Sequence, residues 1–206
     1  MTAQNWSLPT RFLHLGLVAT VSIQLFVSLI MDEPGEKESL LGTALFEVHE
    51  VVGLSALAIV LVHWAWSLFN HADGGLAHLF PWHRAGRQQV MSDIRGLMRM
   101  EMPASGVRGG LPGLIHGLGL LAVTGIALTG GMLFLLMPEQ GDPGQLAEAF
   151  EELHEGFAAL VWTYWIGHGG IAIMHHLSGH DTVRNMFNFS SSSKSSTATI
   201  EKNSAS

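Results

Sequence analysis

Four apolar runs, each about twenty residues or longer, leave this chain few choices of fold. They are Phe12 to Met31, Ala44 to Phe69, Leu114 to Met137 and roughly Leu153 to Met174. About twenty apolar residues cross the hydrocarbon core of a bilayer. In lipid a backbone must satisfy its own hydrogen bonds, which leaves helices and closed barrels. The hydrophobic fraction, 48%, is ordinary for a globular protein, but charged residues are only 13% and fall mostly between the runs. The sequence therefore predicts an all-α integral membrane protein, a four-transmembrane-helix bundle occupying residues 1–187, with spans at about 8–31, 44–69, 114–137 and 151–176. Ser7 and Pro9 supply a cap and first turn for span 1. No small-residue cleavage site follows that span, which reads as a retained helix rather than a removed signal peptide. Residues 188–206, rich in serine and other polar residues, are expected to form a disordered tail.

Loop charges set the expected orientation. The 70–112 loop carries Arg84, Arg87, Arg95, Arg99 and Arg108, Arg11 precedes span 1, and Arg184, Lys194 and Lys202 lie in the tail. The other two loops hold Asp32, Glu33, Glu36 and Glu38, then Glu139, Asp142, Glu148, Glu151 and Glu152, with Lys37 the lone cation. The excess of basic residues on one side puts both termini in the cytoplasm. Within the basic loop, Val90, Met91, Ile94, Leu97 and Met98 are interleaved with arginine. That stretch reads either as a short interfacial helix or as a solvated loop. A formal charge of −7 gives no sign of nucleic-acid binding.

Histidines repeat inside the second and fourth runs. Glu47-Val48-His49-Glu50 is followed, after twelve further residues, by His63. Glu152-Leu153-His154-Glu155 is followed at the same interval by His168. Fourteen residues on a helix are about four turns and about 21 Å of rise, so each pair shares one face at two depths. Spans 2 and 4 run in the same direction, which levels His49 with His154 and His63 with His168. An unpaired imidazole in hydrocarbon costs several kcal/mol. One isolated buried histidine, such as His116, reads as hydrogen-bonded packing; matched pairs at matched depths read as ligands. With no cysteine in the chain, thiolate-held clusters and thiolate haem are excluded, and imidazole remains. A porphyrin iron takes one axial imidazole from each face, hence from two helices, and a four-helix bundle can supply this twice. Glycines flank these positions: Gly53, then Gly167, Gly169 and Gly170, with Gly117, Gly119, Gly125, Gly130 and Gly131 in span 3. They admit either a porphyrin plate or close helix packing; beside His168 the porphyrin reading is preferred. Glu50 and Glu155 point about 100° away from the preceding histidine and read as surface groups.

Several motifs together resemble the prokaryotic cytochrome b561 family, which includes the b-type cytochrome subunits of nickel–iron hydrogenases. They are Arg11-Phe12-Leu13-His14, Val48-His49 with Gly53, Gly110-Leu111-Pro112-Gly113, Leu153-His154-Glu155, Gly167-His168, His175-His176 and the exit Asp181-Thr182-Val183-Arg184-Asn185-Met186. The likeness runs from Arg11 to about Phe187. It implies two b haems, an outer one between His49 and His154 and an inner one between His14 and His168. Spacing alone pairs His63 with His168, so His63 stands as the alternative to His14. Arg11, Arg95, Arg99, His116, His175 and His176 are candidate contacts to haem propionates or a quinone.

The resemblance further implies a protein of a bacterial inner membrane, moving electrons across it between the quinone pool and a periplasmic or membrane redox partner protein. It leaves open whether the chain has quinol or quinone oxidoreductase activity of its own, and whether it forms a homodimer. A second reading is the membrane anchor and electron conduit of a hydrogenase or other periplasmic oxidoreductase. A third, a histidine-based metal transporter, needs ligands converging on one centre and carboxylates at mid-membrane depth. Spans 1 and 3 have no acidic residue, and the carboxylates of the other two sit at one end.

Overall fold

A computed structural model describes residues 6–32, 39–70, 73, 75–99, 109–138, 142 and 144–177. The polar tail after 187 and the exit motif at 181–186 lie outside the described residues. Six helices follow in order: α1 Leu8–Val27, α2 Leu40–Phe69, α3 Gly75–Leu79, α4 Arg84–Met98, α5 Gly110–Leu136 and α6 Gln145–Leu177. Among the described residues α1, α2, α5 and α6 are long and apolar enough to cross a membrane.

Helix ends follow local chemistry. Pro9 sits in the first turn of α1, where its missing N–H and fixed φ are harmless. Ser7 precedes that turn, but its hydroxyl bonds Asp73 and Thr10 instead of capping the helix backbone. Ser39 does cap α2, accepting from the Gly42 N–H at 2.9 Å. Asp32 accepts from both the Ser39 N–H and hydroxyl at 2.7 Å. These bonds hold the Asp32 carboxyl below its ordinary pKa. Gly110, at φ 75°, makes the left-handed turn that admits the chain to α5. Asp93 of α4 accepts from the Leu111 N–H just beyond it, at 2.9 Å. The helices start four to eight residues before the apolar runs, because polar and glycine residues such as Gly42, Gly110 and Gln145 still fit a helical first turn once capped or packed.

Side-chain contacts give an up-and-down bundle. Gly16 meets Ile59 and Gly53 meets Gln24, so α1 and α2 are antiparallel. Trp64 donates to Thr124 at 2.8 Å while Gly131 meets Leu57, so α2 and α5 are antiparallel. Gly119 faces Tyr164, Gly125 faces Phe157 and Gly130 faces His154, so α5 and α6 are antiparallel. The ring closes through side chains between α6 and α1. Trp165 donates to Ser22 at 3.0 Å, and Phe26 sets its ring against Trp162 and Trp165. Consequently α2 and α6 run parallel, as the repeat requires.

The core is thin. Leu25, Val60, Leu79, Leu120, Val123 and Val161 form its buried cluster, and only Val60 and Val161 are almost fully enclosed. Many large apolar side chains face outward, including Phe12, Val51, Leu61, Leu135, Leu160 and Ile166. In water such a surface would be a large exposed apolar patch; in lipid it is the solvated face. Apolar burial therefore contributes little to helix association, and small residues and indole bonds do more. One end of the bundle carries α3 and α4 with Arg84, Arg87, Arg95 and Arg99, and is called the basic end below. The amphipathic stretch of the basic loop is helical, and it exposes Met91, Ile94, Leu97 and Met98. The opposite, acidic end holds Asp32 and the first turns of α6.

Candidate functional site

The up-and-down bundle brings histidines together at two levels. Towards the acidic end, His49 of α2 and His154 of α6 face each other with ring centroids 6.3 Å apart and planes at 77°. Towards the basic end, His14 of α1 and His168 of α6 stand 6.3 Å apart, planes at 65°. The fourteen-residue separation of His154 and His168 puts the levels about 21 Å apart along α6.

The rings are prepared differently. His154 Nδ1 lies 3.0 Å from the Thr129 hydroxyl, which is itself within bonding reach of the Gly125 and Ile126 carbonyls at 2.9 and 3.0 Å. A hydroxyl has one proton. With that proton on its own helix, Thr129 is placed to accept the Nδ1 proton of His154, an arrangement that would leave Nε2 with a free lone pair. Gln24 donates to the His49 carbonyl at 2.8 Å and ties α1 to this level. His49 Nδ1 and His14 Nδ1 are buried without a hydrogen-bond partner among the described residues. Tyr164, one turn before His168, stacks on its ring at 5.1 Å and 9°.

His63 and His116 crowd the His14–His168 level. His116 sets its ring edge-on to His168 at 5.0 Å, and its Nδ1 meets the Pro112 carbonyl at 2.8 Å. His63 Nδ1 is 3.4 Å from the Ser67 hydroxyl. His14, His63 and His116 line a cavity of about 60 Å³ at the basic end, closed by Trp66, Asp73 and His78. Asp73 accepts from the Ser7 N–H at 3.0 Å, from the Ser7 and Thr10 hydroxyls, and from the Asn70 amide at 3.1 Å. Burial pushes its carboxyl up, but these bonds outweigh it and hold the pKa below the ordinary value.

Of the candidate propionate or quinone contacts, Arg11 is 8% exposed at the start of α1. Arg95 and Arg99 are exposed at the end of α4, and neither lines the cavity beside His14. His176 is exposed at the exit of α6, and the side chain of His175 lies outside the described residues. The span-3 glycines serve packing. A Cβ at Gly119 or Gly125 would run into the rings of Tyr164 or Phe157, and one at Gly130 would come 3.0 Å from His154 Cε1. Gly53 makes room for the Gln24 amide, 2.7 Å from where its Cβ would be, while Gly167, Gly169 and Gly170 have open space beside them. Thr129, Gln24, Tyr164 and His78 carry no spacing or motif that sets them apart. Only His78 had a faint signal, as the polar member of a short apolar run, Leu76 to Phe80, bounded by Gly75 and Pro81.

The two pairs fit an iron porphyrin. Two imidazoles bonded to one metal through nitrogen, at about 2 Å each, hold their ring centres about 6 Å apart. Both pairs show this separation, and each contains a ring with a buried, unpartnered nitrogen. A free ion held by several residues fits less well. Among the described residues no group of three or more His, Asp or Glu side chains converges to hold one.

No curated protein and no solved structure matches the chain. A family model described as prokaryotic cytochrome b561 matches residues 5–189. That is nearly the whole length, and it agrees with four apolar helices carrying paired imidazoles: the chain belongs to the prokaryotic cytochrome b561 family, and is a membrane b-type cytochrome of electron transfer.

Proposed function

We propose that this chain carries two b haems and passes electrons across a bacterial inner membrane, between the quinone pool and a redox partner protein. His49 and His154 hold the outer haem; His14 and His168 hold the inner one. When bound, these groups supply reversible one-electron chemistry on iron. The rest is done by the chain. It places the ligands on α1, α2 and α6, fixes the His154 tautomer through Thr129, and keeps water from the span between levels with apolar and aromatic side chains. Both termini lie on the cytoplasmic side, where the basic loop belongs by charge.

The observation that carries this reading is the equal 6.3 Å separation of two imidazole pairs on one bundle. It also favours His14 over His63 as inner ligand, because His14 is the ring that meets His168 at the distance found in the other pair. The test is the haem content and spectrum of the purified protein. Two six-coordinate b haems per chain are expected. His14→Ala and His49→Ala should each lose one, and His63→Ala should keep both. A single haem in the unaltered protein defeats the two-centre reading. A variant His63→Ala that loses a haem, beside His14→Ala that keeps two, reverses the inner assignment.

A further inference from the structure

His78 lies on α3, outside the four spans and apart from the four ligating rings, in a position that the electron-carrying role leaves unexplained. It is 7% exposed, and its Nε2 is buried with no hydrogen-bond partner among the described residues. Burying a polar nitrogen without a partner is unfavourable. His78 borders two cavities. One is the 60 Å³ cavity bordered by His14, His63 and His116. The other is a cavity of about 230 Å³, bordered by Ala77, His83 and Gln89, whose side chains are exposed. Both volumes have room for water. The Trp6 ring stands edge-on to His78 at 5.0 Å and to His116 at 6.4 Å, holding one face of the site. The fold spends several features on the placement. Gly113 and Gly117 lack the Cβ atoms that would strike the carbonyls of His78 and Leu79, so α3 can sit directly on α5.

We propose that His78 is the proton acceptor coupled to the electron held between His14 and His168. As the iron of that pair gains one electron from a quinol or redox partner, His78 takes one proton from the aqueous basic end through the larger cavity. It returns the proton when the electron leaves. The inference rests on the proposed inner haem. Adding an electron removes one positive charge near the smaller cavity, and a nearby imidazole then holds a proton more tightly. The groups facing His78 set the starting point. Asp73 in the α2–α3 turn favours the charged ring. His14 of α1, His63 of α2, His116 of α5 and His83 at the head of α4 are the other titratable groups around the two cavities. Burial outweighs Asp73 and keeps His78 below its ordinary value of 6.5, so it starts neutral at pH 7. Because the proton affinity is higher in the reduced protein, the inner-haem potential must fall as pH rises between the two affinities.

The experiment is spectroscopic redox titration of the haem-loaded protein from pH 5 to 8. Proton uptake per electron is followed with an indicator dye. The unaltered protein should show an inner-haem potential falling with pH, by up to about 59 mV per tenfold fall in proton activity, and an outer haem with a smaller slope. His78→Gln should keep both haems and lose the inner slope and most of the proton uptake. Asp73→Asn, which leaves His78 in place, should move the sloping window to lower pH. An unchanged slope in both variants overturns the proposal. So does an inner potential shifted equally at every pH by His78→Gln, which would make His78 a fixed hydrogen-bond donor to a haem propionate. The haem count of the unaltered protein separately tests the inner-haem reading.

Discussion

Replacing Thr129 by valine isolates one hydrogen bond at the acidic-end pair. Valine keeps the branched shape, so the 6%-exposed site between α5 and α6 stays filled and the hydroxyl is what disappears. The carbonyls of Gly125 and Ile126 lose only a secondary partner, since each also serves the helix ladder. His154 Nδ1–H loses its 3.0 Å hydroxyl acceptor. A buried donor left unsatisfied costs about 1–3 kcal/mol. Loss of a bond that orients a metal-bound imidazole typically weakens metal binding about 10- to 100-fold. The two figures agree, at about 1.4 kcal/mol per tenfold. Titration of haem-free protein with haem should therefore show one site weakened about 10- to 100-fold and the other unchanged. The bond also makes the ring a stronger donor to oxidised iron, so its loss should raise the potential of that haem alone. Thr129→Ser, which keeps the hydroxyl, should restore both properties. Equal weakening at both sites, or no change at either, would refute the assignment of His154 Nδ1 to Thr129 and of Nε2 to iron.

Other expectations follow from packing and charge. Gly119→Ala places a methyl into the Tyr164 ring, and overpacking of this kind costs about 1–3 kcal/mol; a lower melting temperature in detergent should accompany a disturbed haem spectrum, because Tyr164 also stacks on His168. Asp73→Ala removes the carboxylate that gathers Ser7, Thr10 and Asn70 and should cost about 2–3 kcal/mol, at the scale of bonds to a charged group. The Asp73 carboxyl titrates lower in the folded protein than in the unfolded chain. Its contribution is thus full above the ordinary carboxylate range and is lost as pH falls through the folded value. Acid unfolding followed by circular dichroism should show that loss in the unaltered protein and a shallower dependence in Asp73→Asn.

The sequence carried the architecture because lipid imposes one solution on a twenty-residue apolar run, and loop charge plus the histidine repeat set which spans run parallel. That His49 faces His154 while His168 meets a ring at the other level was legible in the repeat, because four turns return a helix to nearly the same face. That the ring of His14 stands against His168 was not legible from spacing, because it depends on which of two neighbouring helices turns its face towards α6. The span-3 glycines were equally ambiguous, since a missing Cβ serves a ring of the protein as well as a ring of a cofactor. Thr129 and His78 could not be singled out at all. A threonine one turn from glycine, or a histidine in a short loop helix, acquires a role only when another element brings a nitrogen or a cavity against it.

The last helix is common to both imidazole pairs, and this constrains biogenesis. A nascent chain that has inserted three spans holds His14, His49 and His63 but neither complete pair, since His154 and His168 have yet to leave the ribosome. Closing α6 onto α1 joins positions 143 residues apart at Trp165 and Ser22, the kind of long loop that folds late. Under the proposed ligand set, both redox centres therefore come into being together, at the final step. A truncated product should be a colourless membrane peptide, with no half-assembled carrier to leak electrons.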